Sequence, residues 1–446
     1  MIDKKRNYAI EQLNSTEEDK LKFMLGSMKN NKAFLEAALN LEKKDDKDLL
    51  LQKHKDKYLD YRKNWRDFPK MAISRKLYGE DLKKINAPPL CVDVELAAVC
   101  DLACPHCYRQ TIATPDKIMK KELAFKIIDQ ASLLKVPSMK FNWRGEPLLN
   151  PQLPEIISYA KSKGILETII NTNATKLNDK VSNALIDAGL DLIIYSFDGG
   201  TKETYEFMRP GRFKKNSFDD VYYNIVNFAR IKNSRKSILP RTKIQMVLTH
   251  ETINEVDSYL NLFQDVVDDV SVKQYTERGG KIKDFNDSQK NKINKFIKKN
   301  NISGNYELMR SLDGTLFISD GRLPCEQPYQ RLLVTYDGRV SMCCYDWGSM
   351  HTIGYVDELA IKIGDKDYND VKNKAENKTK GFEMMNLKMP FKFNEPEKIV
   401  STLSEIWTGK EIDNIRKKQN ENKVNEVKIC KKCPFKETYS WKKIDL

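Results

Sequence analysis

Three cysteines stand close together in the first quarter of the chain. Cys100, Cys104 and Cys107 fall within the segment CDLACPHCY. Thiolates bind zinc or iron–sulfur clusters, and a closed zinc site normally needs four ligands. His106 is held between Pro105 and Cys107, where it cannot readily become the fourth ligand. The three thiols therefore favour an iron–sulfur cubane with one open iron, and a zinc knuckle or a group of buried thiols is the alternative.

Six short apolar segments with strand-like composition follow one another in the middle of the chain. They lie at 90–99, 138–143, 166–172, 191–197, 243–249 and 269–275. Amphipathic helical segments stand between most of them, and this alternation predicts a parallel sheet with right-handed crossovers. We expect an α/β fold, a partial (β/α)6 barrel. Binding groups of such folds gather at the C-terminal ends of the strands, where the three cysteines stand.

Changes in composition divide the chain into four predicted regions. A lysine-rich helical N-terminal extension covers 1–88, and the strand–helix core covers 89–280. A polar, lysine-rich connector covers 281–319, and a smaller cysteine-bearing domain covers 320–446. Within that last domain the segment YDGRV predicts a hairpin turn, and a charged insertion follows at about 360–400.

The composition is that of a folded globular protein. Apolar residues make up 40% of the chain and charged residues 31%, and no apolar run is long enough to cross a bilayer. The N-terminus has no apolar stretch behind its positive charges, which predicts a cytoplasmic protein. In the reducing cytosol, nine cysteines favour metal binding over disulfides. The net charge of +14 comes from scattered lysines, so nucleic acid is not an expected partner.

The C-x3-C-x2-C spacing of Cys100, Cys104 and Cys107 resembles the signature of the radical S-adenosylmethionine (SAM) superfamily, and the resemblance extends across 90–275. In that family the three thiolates hold a 4Fe–4S cluster whose fourth iron chelates SAM. Reduction of SAM produces a 5′-deoxyadenosyl radical, which abstracts a hydrogen atom from the substrate. The resemblance implies SAM and this cluster as cofactors. It also implies a reducing partner such as flavodoxin or ferredoxin.

Further motifs follow in the order that this family has them, and they imply contacts with SAM. The segment NWRGEP resembles the family's Gly-Gly-Glu-Pro segment, with Arg144 in place of the first glycine. NTNA resembles a Thr-Asn-Gly turn, and SFDG matches a Ser-x-Asp-Gly stretch. The resemblance implies that these residues bind SAM: His106, Gly145, Glu146, Asn173, Ser196, Asp198 and Arg209. On the residues alone, Asp198 could cap a helix, Arg209 could lie at the surface and Asn173 could form an ordinary turn.

The C-terminal cysteines resemble the SPASM/twitch auxiliary-cluster domain over most of 320–440. The twitch form of that domain holds one cluster with four ligands, and this chain fits the twitch form. The resemblance implies an auxiliary 4Fe–4S cluster bound by Cys325, Cys343, Cys430 and Cys433. A structural zinc ion on the same thiols is the alternative. Neighbouring strand residues face opposite sides, so we expect Cys344 to point away, and we expect Cys91 to be a buried apolar residue.

An auxiliary cluster near the active site suits oxidation, because the substrate radical must then lose one electron and one proton. The cysteine spacing resembles that of twitch dehydrogenases that oxidise a secondary alcohol of an aminocyclitol. The resemblance therefore implies alcohol oxidation on a sugar-like small molecule. The alternative substrate is a ribosomally made peptide that is oxidised, crosslinked or epimerised, with the N-terminal extension docking its leader. A non-enzymatic zinc scaffold or nucleic-acid-binding module is the third possibility.

The sequence singles out no residue that would deprotonate the substrate radical. Four polar residues at strand ends or facing the second domain are candidates: Glu95, Gln274, Tyr275 and Asp346. Each of them could equally be structural, and none has a recognisable partner in the sequence.

Overall fold

The computed structural model describes most of the chain after residue 43. The described residues are 44–237, 239–276, 285, 287–299, 306–310, 315–431, 433–435 and 438–444. The beginning of the predicted helical extension and parts of the predicted connector lie outside them. Within the described ranges, no helix combines the length and the apolar character needed to cross a membrane.

Six parallel strands form the centre of the structure and confirm the six strands predicted from the sequence. They are β1 (Cys91–Val94), β2 (Ser138–Lys140), β3 (Glu167–Thr172), β4 (Leu192–Ser196), β5 (Arg241–Leu248) and β6 (Asp269–Gln274). Each strand pairs in parallel with the next one along the chain. The predicted α/β class is confirmed, and no closed ring of strands is seen among the described residues.

Helices connect these strands and cover the sheet. In the first part of the chain they are α1 (Lys44–Ser74), α2 (Gly79–Lys84), α3 (Lys121–Leu133), α4 (Leu153–Ser162), α5 (Asp179–Asp187), α6 (Lys202–Met208), α7 (Phe218–Ser234) and α8 (Val256–Phe263). The later helices are α9 (Asp287–Lys299), α10 (Gln327–Gln330), α11 (Glu358–Ile363), α12 (Lys366–Glu376), α13 (Leu403–Trp407), α14 (Lys410–Asn420) and α15 (Lys428–Lys431). Their apolar residues recur at helical spacing, as Leu123, Ile127 and Ile128 do in α3, and are buried against the sheet.

A C-terminal hairpin extends the central sheet beyond its first strand. It consists of β9 (Arg331–Val334) and β10 (Arg339–Ser341), which confirm the turn predicted at YDGRV, and β11 (Thr352–Tyr355) follows. Gly338 occupies the turn with φ of 90°, a conformation that other residues rarely adopt. Strand β9 pairs in parallel with β1, so the sheet order is β11-β10-β9-β1-β2-β3-β4-β5-β6. The two cysteine-bearing regions therefore share one sheet.

A second, smaller sheet joins the connector side of the chain to its C-terminal end. Its strands are β7 (Leu308–Arg310), β8 (Leu316–Arg322) and β12 (Tyr439–Ile444). They pair antiparallel in the order β12-β8-β7. The last strand thereby fixes the segment that carries the final two cysteines.

The described part of the N-terminal extension packs at the amino ends of the parallel strands. From α1, the hydroxyl of Tyr58 donates to Glu167 Oε1 at 2.8 Å, and that of Tyr61 donates to Ser138 Oγ at 3.0 Å. Glu167 and Ser138 begin β3 and β2. Helix α1 therefore lies at the edge of the sheet opposite to the ends from which the cysteine loop emerges.

Candidate active site

The loop at 100–107 leaves the carboxyl end of β1 and is held in place by a second segment. The backbone N–H of Ala103 donates to the carbonyl of Pro210, and the backbone N–H of Arg212 donates to the carbonyl of Asp101, both at 2.8 Å. The second segment directly follows α6. The predicted cluster loop is thus braced by backbone pairing to the segment after α6.

Two buried arginines share one carboxylate beneath this loop. Arg212 donates to both oxygens of Asp116 at 2.8 and 2.7 Å, and Arg109 donates to one of them at 3.0 Å. These arginines also donate to carbonyls of the loop, Arg212 to Cys100 at 3.3 Å and Arg109 to Ala98. Although burial opposes the change, the two guanidinium groups lower the pKa of Asp116. The carboxylate therefore stays ionised and pairs with both arginines that position the loop.

The thiols of the loop have the chemistry that an iron–sulfur cluster requires. None of the three is in a disulfide. Burial raises the pKa of Cys104 to about 12, against the charge of Arg209, and burial also raises that of Cys100. In the described residues no three His, Cys, Asp or Glu side chains could hold a single metal ion. A cubane does not need such a cluster because each thiolate binds a different iron, so the donor set fits it.

Gly145 brings the segment after β2 into direct contact with the end of β1. A Cβ atom on this residue would lie 2.3 Å from the carbonyl oxygens of Ala97 and Val99. The next backbone N–H, that of Glu146, donates to Val99 at 2.9 Å. Any side chain at position 145 would push this segment away from the cysteine loop.

The carboxylate of Glu146 is bound by the protein itself. It accepts hydrogen bonds from the hydroxyl of Thr172 at 2.7 Å, from the backbone N–H of Asn173 at 2.7 Å and from that of Leu148 at 3.0 Å. Burial raises the pKa of Glu146 to about 7, and the hydrogen bond from Asn173 opposes the rise. The carboxylate therefore holds the end of β3 beside the segment after β2, and direct contact of Glu146 with SAM remains a proposal.

Asn173 connects the end of β3 to the cysteine loop. Its amide nitrogen donates to Asp101 Oδ1 at 2.9 Å and lies 3.9 Å from the sulfur of Cys100. The hydroxyl of Thr175 donates to the other oxygen of Asp101 at 2.6 Å. Asn173 is therefore part of a polar network around the first cysteine, which an ordinary exposed turn would not form.

Asp198 lies at the centre of a buried polar group after β4. Its carboxylate accepts a hydrogen bond from the backbone N–H of Val247 at 2.7 Å and pairs with Arg209 at 2.6 Å. The ring nitrogen Nε2 of His106 lies 3.5 Å from the same carboxylate. Thr201, not Asp198, caps α6, and Arg209 is buried. Three predicted SAM-binding residues from separate loops thus meet at the carboxyl ends of the strands.

The four predicted ligands of the auxiliary cluster come together from separate parts of the chain. Cys325 precedes α10, Cys343 follows β10, Cys430 lies in α15 and Cys433 comes directly after it. Burial is the largest cause that raises the pKa values of Cys325 and Cys343, and the nearby thiols of Cys430 and Cys433 raise both further. The mutual influence of these thiols requires them to be close, which fits a shared cluster.

Cys344 lies beside this group of thiols. It contributes to the raised pKa values of both Cys343 and Cys433, and its own thiol donates to Gln327 Oε1 at 3.7 Å. Its carbonyl accepts a hydrogen bond from the indole of Trp143 at 2.8 Å. The thiol has a protein partner of its own, and the choice of Cys343 as ligand stays a prediction.

Arg144, which stands in place of the family's first glycine, forms a buried ion pair with Glu95. Two of its nitrogens donate to the two carboxylate oxygens at 2.6 and 2.8 Å, and neither side chain is exposed. Arg144 also donates to the hydroxyl of Tyr368 at 3.1 Å and to the carbonyl of Trp347 at 3.4 Å. Glu95 accepts from the backbone N–H of Tyr336 at 3.2 Å. The pair joins the strand ends of the core to the C-terminal region.

Replacing Arg144 with methionine should leave the Glu95 carboxylate buried without its charge partner. Such a loss typically costs about 3–5 kcal/mol of unfolding free energy. Urea unfolding of the cluster-free protein under reducing conditions measures this loss of unfolding free energy. The control variant Lys372→Met removes one partner of the surface pair with Glu376 and should cost less than about 1 kcal/mol. Equal losses in the two variants would refute a role of Arg144 in holding the two regions together.

A series of aromatic rings connects the two cysteine groups. Tyr108, which follows Cys107, stacks on Trp347 with ring centroids 5.7 Å apart. Trp347 contacts Tyr345 at 5.4 Å, and Tyr345 contacts Phe435 at 4.7 Å. Phe435 lies two residues after the last predicted auxiliary ligand. The rings form one packed cluster with a predicted cluster ligand near each end.

The charged insertion at 360–400 packs over the segment that follows the cysteine loop. The backbone N–H of Ala113 donates to the carbonyl of Lys388 at 2.9 Å, and that of Lys388 donates to Thr111 at 2.8 Å. Helix α12, which belongs to this insertion, shares an apolar cluster with Ala113. The insertion therefore packs directly on the segment that follows the cysteine loop.

Asp346, one of the candidates for the substrate base, has internal partners. Its carboxylate accepts hydrogen bonds from Met350 and His351 backbone N–H groups at 2.7 and 2.8 Å and from the hydroxyl of Ser341 at 3.1 Å. Burial raises its pKa to about 6. These contacts support a structural role, as the ion pair with Arg144 does for Glu95. The side chain of Gln274 lies outside the described residues.

Comparison with known protein families agrees with these two groups of cysteines. Residues 94–263 match the radical SAM superfamily, and residues 325–381 match SPASM, an iron–sulfur cluster-binding domain. The chain contains a radical SAM domain and a C-terminal SPASM domain. These two domains imply SAM, a SAM-binding 4Fe–4S cluster and an auxiliary iron–sulfur cluster as cofactors. The predicted boundaries at 88, 280 and 319 are compatible with these matches and stay proposals.

Individual relatives have diverse activities. The chain is 35% identical over 121 residues to a probable GTP 3′,8-cyclase of Methanothermobacter marburgensis. The matched residues make up 27% of this chain and 39% of that protein. The chain spans less than two fifths of the first curated relatives that it matches. Among solved structures, Streptococcus suis SuiB bound to precursor peptide SuiA is 15% identical to this chain and has a TM-score of 0.47. The match covers 90% of this chain and 81% of SuiB. BtrN in complex with AdoMet and 2-DOIA is 15% identical to this chain and has a TM-score of 0.40. The match covers 77% of this chain and 92% of BtrN.

Proposed function

We propose that this radical SAM protein oxidises an alcohol of a sugar-like small molecule, with the auxiliary cluster as the electron acceptor. When bound, SAM and the first cluster would supply the 5′-deoxyadenosyl radical that removes the hydrogen atom, and the auxiliary cluster would take up the electron that remains. The thiols of Cys100, Cys104 and Cys107 would hold the first cluster. Modification of a ribosomally made peptide is the alternative function, which the experiments below distinguish from alcohol oxidation.

The observation that carries the proposal is the ring cluster between the two cysteine groups. Tyr108 begins it beside the first group, and Phe435 ends it beside the second. Oxidation needs an acceptor close to where the substrate radical forms, whereas a structural zinc site could lie anywhere in the fold. The bidentate pair of Arg144 and Glu95 keeps these two regions together without relying on flexible surface contacts.

Two further observations support a small molecule over a peptide with a leader. The insertion packs on the segment after the cysteine loop through the pairing of Ala113 with Lys388, and a long chain would have less room there. Helix α1 packs at the amino ends of the strands, away from the predicted substrate site, so its described part is poorly placed to present a peptide there.

The residues at the carboxyl ends of the strands have distinct proposed tasks in binding SAM. Asn173 and Glu146 keep two strand-end segments beside the cysteine loop, where the methionine part of SAM would lie. Asp198 orients Arg209, whose guanidinium would hold the SAM carboxylate, and the backbone at His106 would contact the adenine. These side chains would bind and orient SAM, and none of them is proposed to transfer a proton.

Removing either of two predicted SAM contacts should weaken SAM binding while the iron content stays nearly unchanged. Ser196 ends β4 and is half-buried. Loss of its hydroxyl should weaken binding by up to about tenfold, and Arg209→Ala by about tenfold or more, because hydrogen bonds to charged groups are stronger. Equilibrium dialysis of anaerobic protein measures the SAM affinity of both variants. Ser234→Ala, at the exposed end of α7, is the control. Normal affinity in both Ser196→Ala and Arg209→Ala would reject these contacts.

The reaction itself is tested with reconstituted protein, SAM, reduced flavodoxin and a panel of aminocyclitols and amino sugars. We expect one ketone product per 5′-deoxyadenosine, with transfer of deuterium from the labelled carbinol carbon into 5′-deoxyadenosine. Carbonyl trapping and mass spectrometry measure both. Product formation from a peptide panel, with none from the sugar panel, would replace the proposal with the peptide alternative. Flavodoxin or ferredoxin as the reductant and a cytoplasmic location are proposed with this function.

A further inference from the structure

We infer that Gln419 and Arg322 raise the reduction potential of the auxiliary cluster and thereby make it an electron acceptor, an inference that rests on the proposed function. Neither residue belongs to the predicted ligand set. Both contact the predicted ligands directly, one through its amide and the other through a positive charge.

Gln419 connects two of the predicted ligands from inside the protein. It lies near the end of α14 and is fully buried. Its amide nitrogen donates to the sulfur of Cys430 at 3.6 Å, and its amide oxygen accepts the backbone N–H of Cys325 at 3.0 Å. A buried amide is costly unless both of its ends are bonded, and here both of these ends contact predicted ligand residues. The side chain is therefore held with an N–H group directed at a ligand sulfur.

Arg322 adds a positive charge beside Cys430 and Cys433. Its guanidinium donates to the carbonyl of Cys430 at 2.8 Å and to that of Cys433 at 3.4 Å. It lies 4.3 Å from the ring centroid of Tyr439 in β12, which fixes its position. Both carbonyls belong to predicted ligand residues, so the positive charge is held beside the auxiliary site.

Both contacts favour the reduced state of a cluster at this site. Reduction adds one negative charge, which an N–H donor at sulfur and a nearby cation stabilise, so the potential rises. At the first site, the amide of Asn173 is already bonded to Asp101 at 2.9 Å and lies further from its sulfur, at 3.9 Å. Of these two described amide contacts with a ligand sulfur, the one at the auxiliary site is the shorter.

This difference suits the electron balance of alcohol oxidation. The carbinol C–H hydrogen goes to the 5′-deoxyadenosyl radical. The resulting carbon radical loses one electron to the auxiliary cluster, and its hydroxyl loses one proton, which leaves a C=O bond. A donor at Cys430 and a cation beside it make this electron transfer more favourable without contacting the substrate.

The test is an EPR-monitored redox titration of the reconstituted holoenzyme, with and without SAM, since only the first cluster should respond to SAM. Gln419→Leu and Arg322→Gln should each shift the auxiliary midpoint to a more negative potential and leave the first cluster unchanged. Asn420→Leu is the matched control, because Asn420 lies on the same helix but donates to Tyr329 at 3.2 Å. Unchanged auxiliary midpoints in both test variants would overturn the inference.

A second variant covers the case in which Gln419→Leu fails to retain its auxiliary iron. Gln419→Glu keeps an acceptor for the Cys325 N–H but replaces the donor at Cys430 with a carboxylate, so the midpoint should become more negative still. An unchanged or more positive midpoint there would also overturn the inference. Because the titration needs no substrate, its result is independent of whether the enzyme oxidises an alcohol. Shifted midpoints without any ketone product would reject the proposed function alone.

Discussion

We expect Cys104→Ala to abolish the formation of 5′-deoxyadenosine. The variant loses one of the three thiolates on the loop after β1, and two thiolates cannot hold the three irons that this site must ligate. Anaerobically reconstituted protein is incubated with SAM and a strong reductant, and 5′-deoxyadenosine is measured by chromatography. The expected loss is complete, because no other group in the proposed mechanism cleaves SAM.

The matched control for this experiment is Cys91→Ala. Cys91 lies on β1, only a few residues before the loop, and is 3% exposed. Its thiol donates to Asp93 at 3.7 Å, and it belongs to neither predicted ligand set. This variant should retain both its iron and SAM cleavage. Equal cleavage by Cys104→Ala and wild-type protein would refute the assignment of the first cluster to this loop.

The second large effect is expected from the double variant Cys430→Ala and Cys433→Ala, which removes two auxiliary ligands. SAM cleavage should continue because the first cluster is intact, while the oxidised product should disappear because the substrate electron has no acceptor. Iron and sulfide should fall by about half, as expected for the loss of one of two cubanes. Product is measured by carbonyl trapping beside 5′-deoxyadenosine in the same reaction.

Two controls separate electron transfer from folding in this experiment. Metal-binding energy is often folding energy, so circular dichroism must show that the double variant keeps its native structure. Cys344→Ala removes the neighbouring thiol that donates to Gln327 and should leave the auxiliary iron in place. A folded double variant that still forms ketone would contradict the role of the auxiliary cluster. Loss of auxiliary iron in Cys344→Ala would move the ligand assignment from Cys343 to Cys344.

Position 144 shows what the sequence leaves open about a departure from a family motif. The sequence shows only that an arginine stands in place of the family's first glycine. In the structure its side chain points to Glu95, Tyr368 and the carbonyl of Trp347, while Gly145 provides the close backbone approach. A charged residue is suitable at position 144 because the buried carboxylate of Glu95 needs a charge partner. The residues next to Arg144 in the sequence do not indicate this partner.

The sequence by itself determined the six parallel strands, the hairpin at YDGRV and the first group of cysteines. Strand periodicity, turn chemistry and the spacing of these three cysteines depend on residues that are close in the chain, so they can be read locally. The same local information placed Asn173 and Asp198 after strands, at the end of the sheet where the cysteine loop lies. The second group of cysteines and the role of Arg209 were implied by the family resemblance.

Only the tertiary structure decided how the two halves of the molecule meet. Strand β9 pairs with β1, and Arg331 donates to Asp93 at 2.9 Å across that pair. The carboxylate of Glu146 accepts a hydrogen bond from Thr172 at the end of β3, and Gln419 donates to the sulfur of Cys430 from another helix. The pairing of β9 with β1 joins residues that are distant in the chain, and the contact of Gln419 with Cys430 joins two separate helices. Their partners are selected by burial and by the need to satisfy every buried polar group, which spacing along the sequence does not reveal.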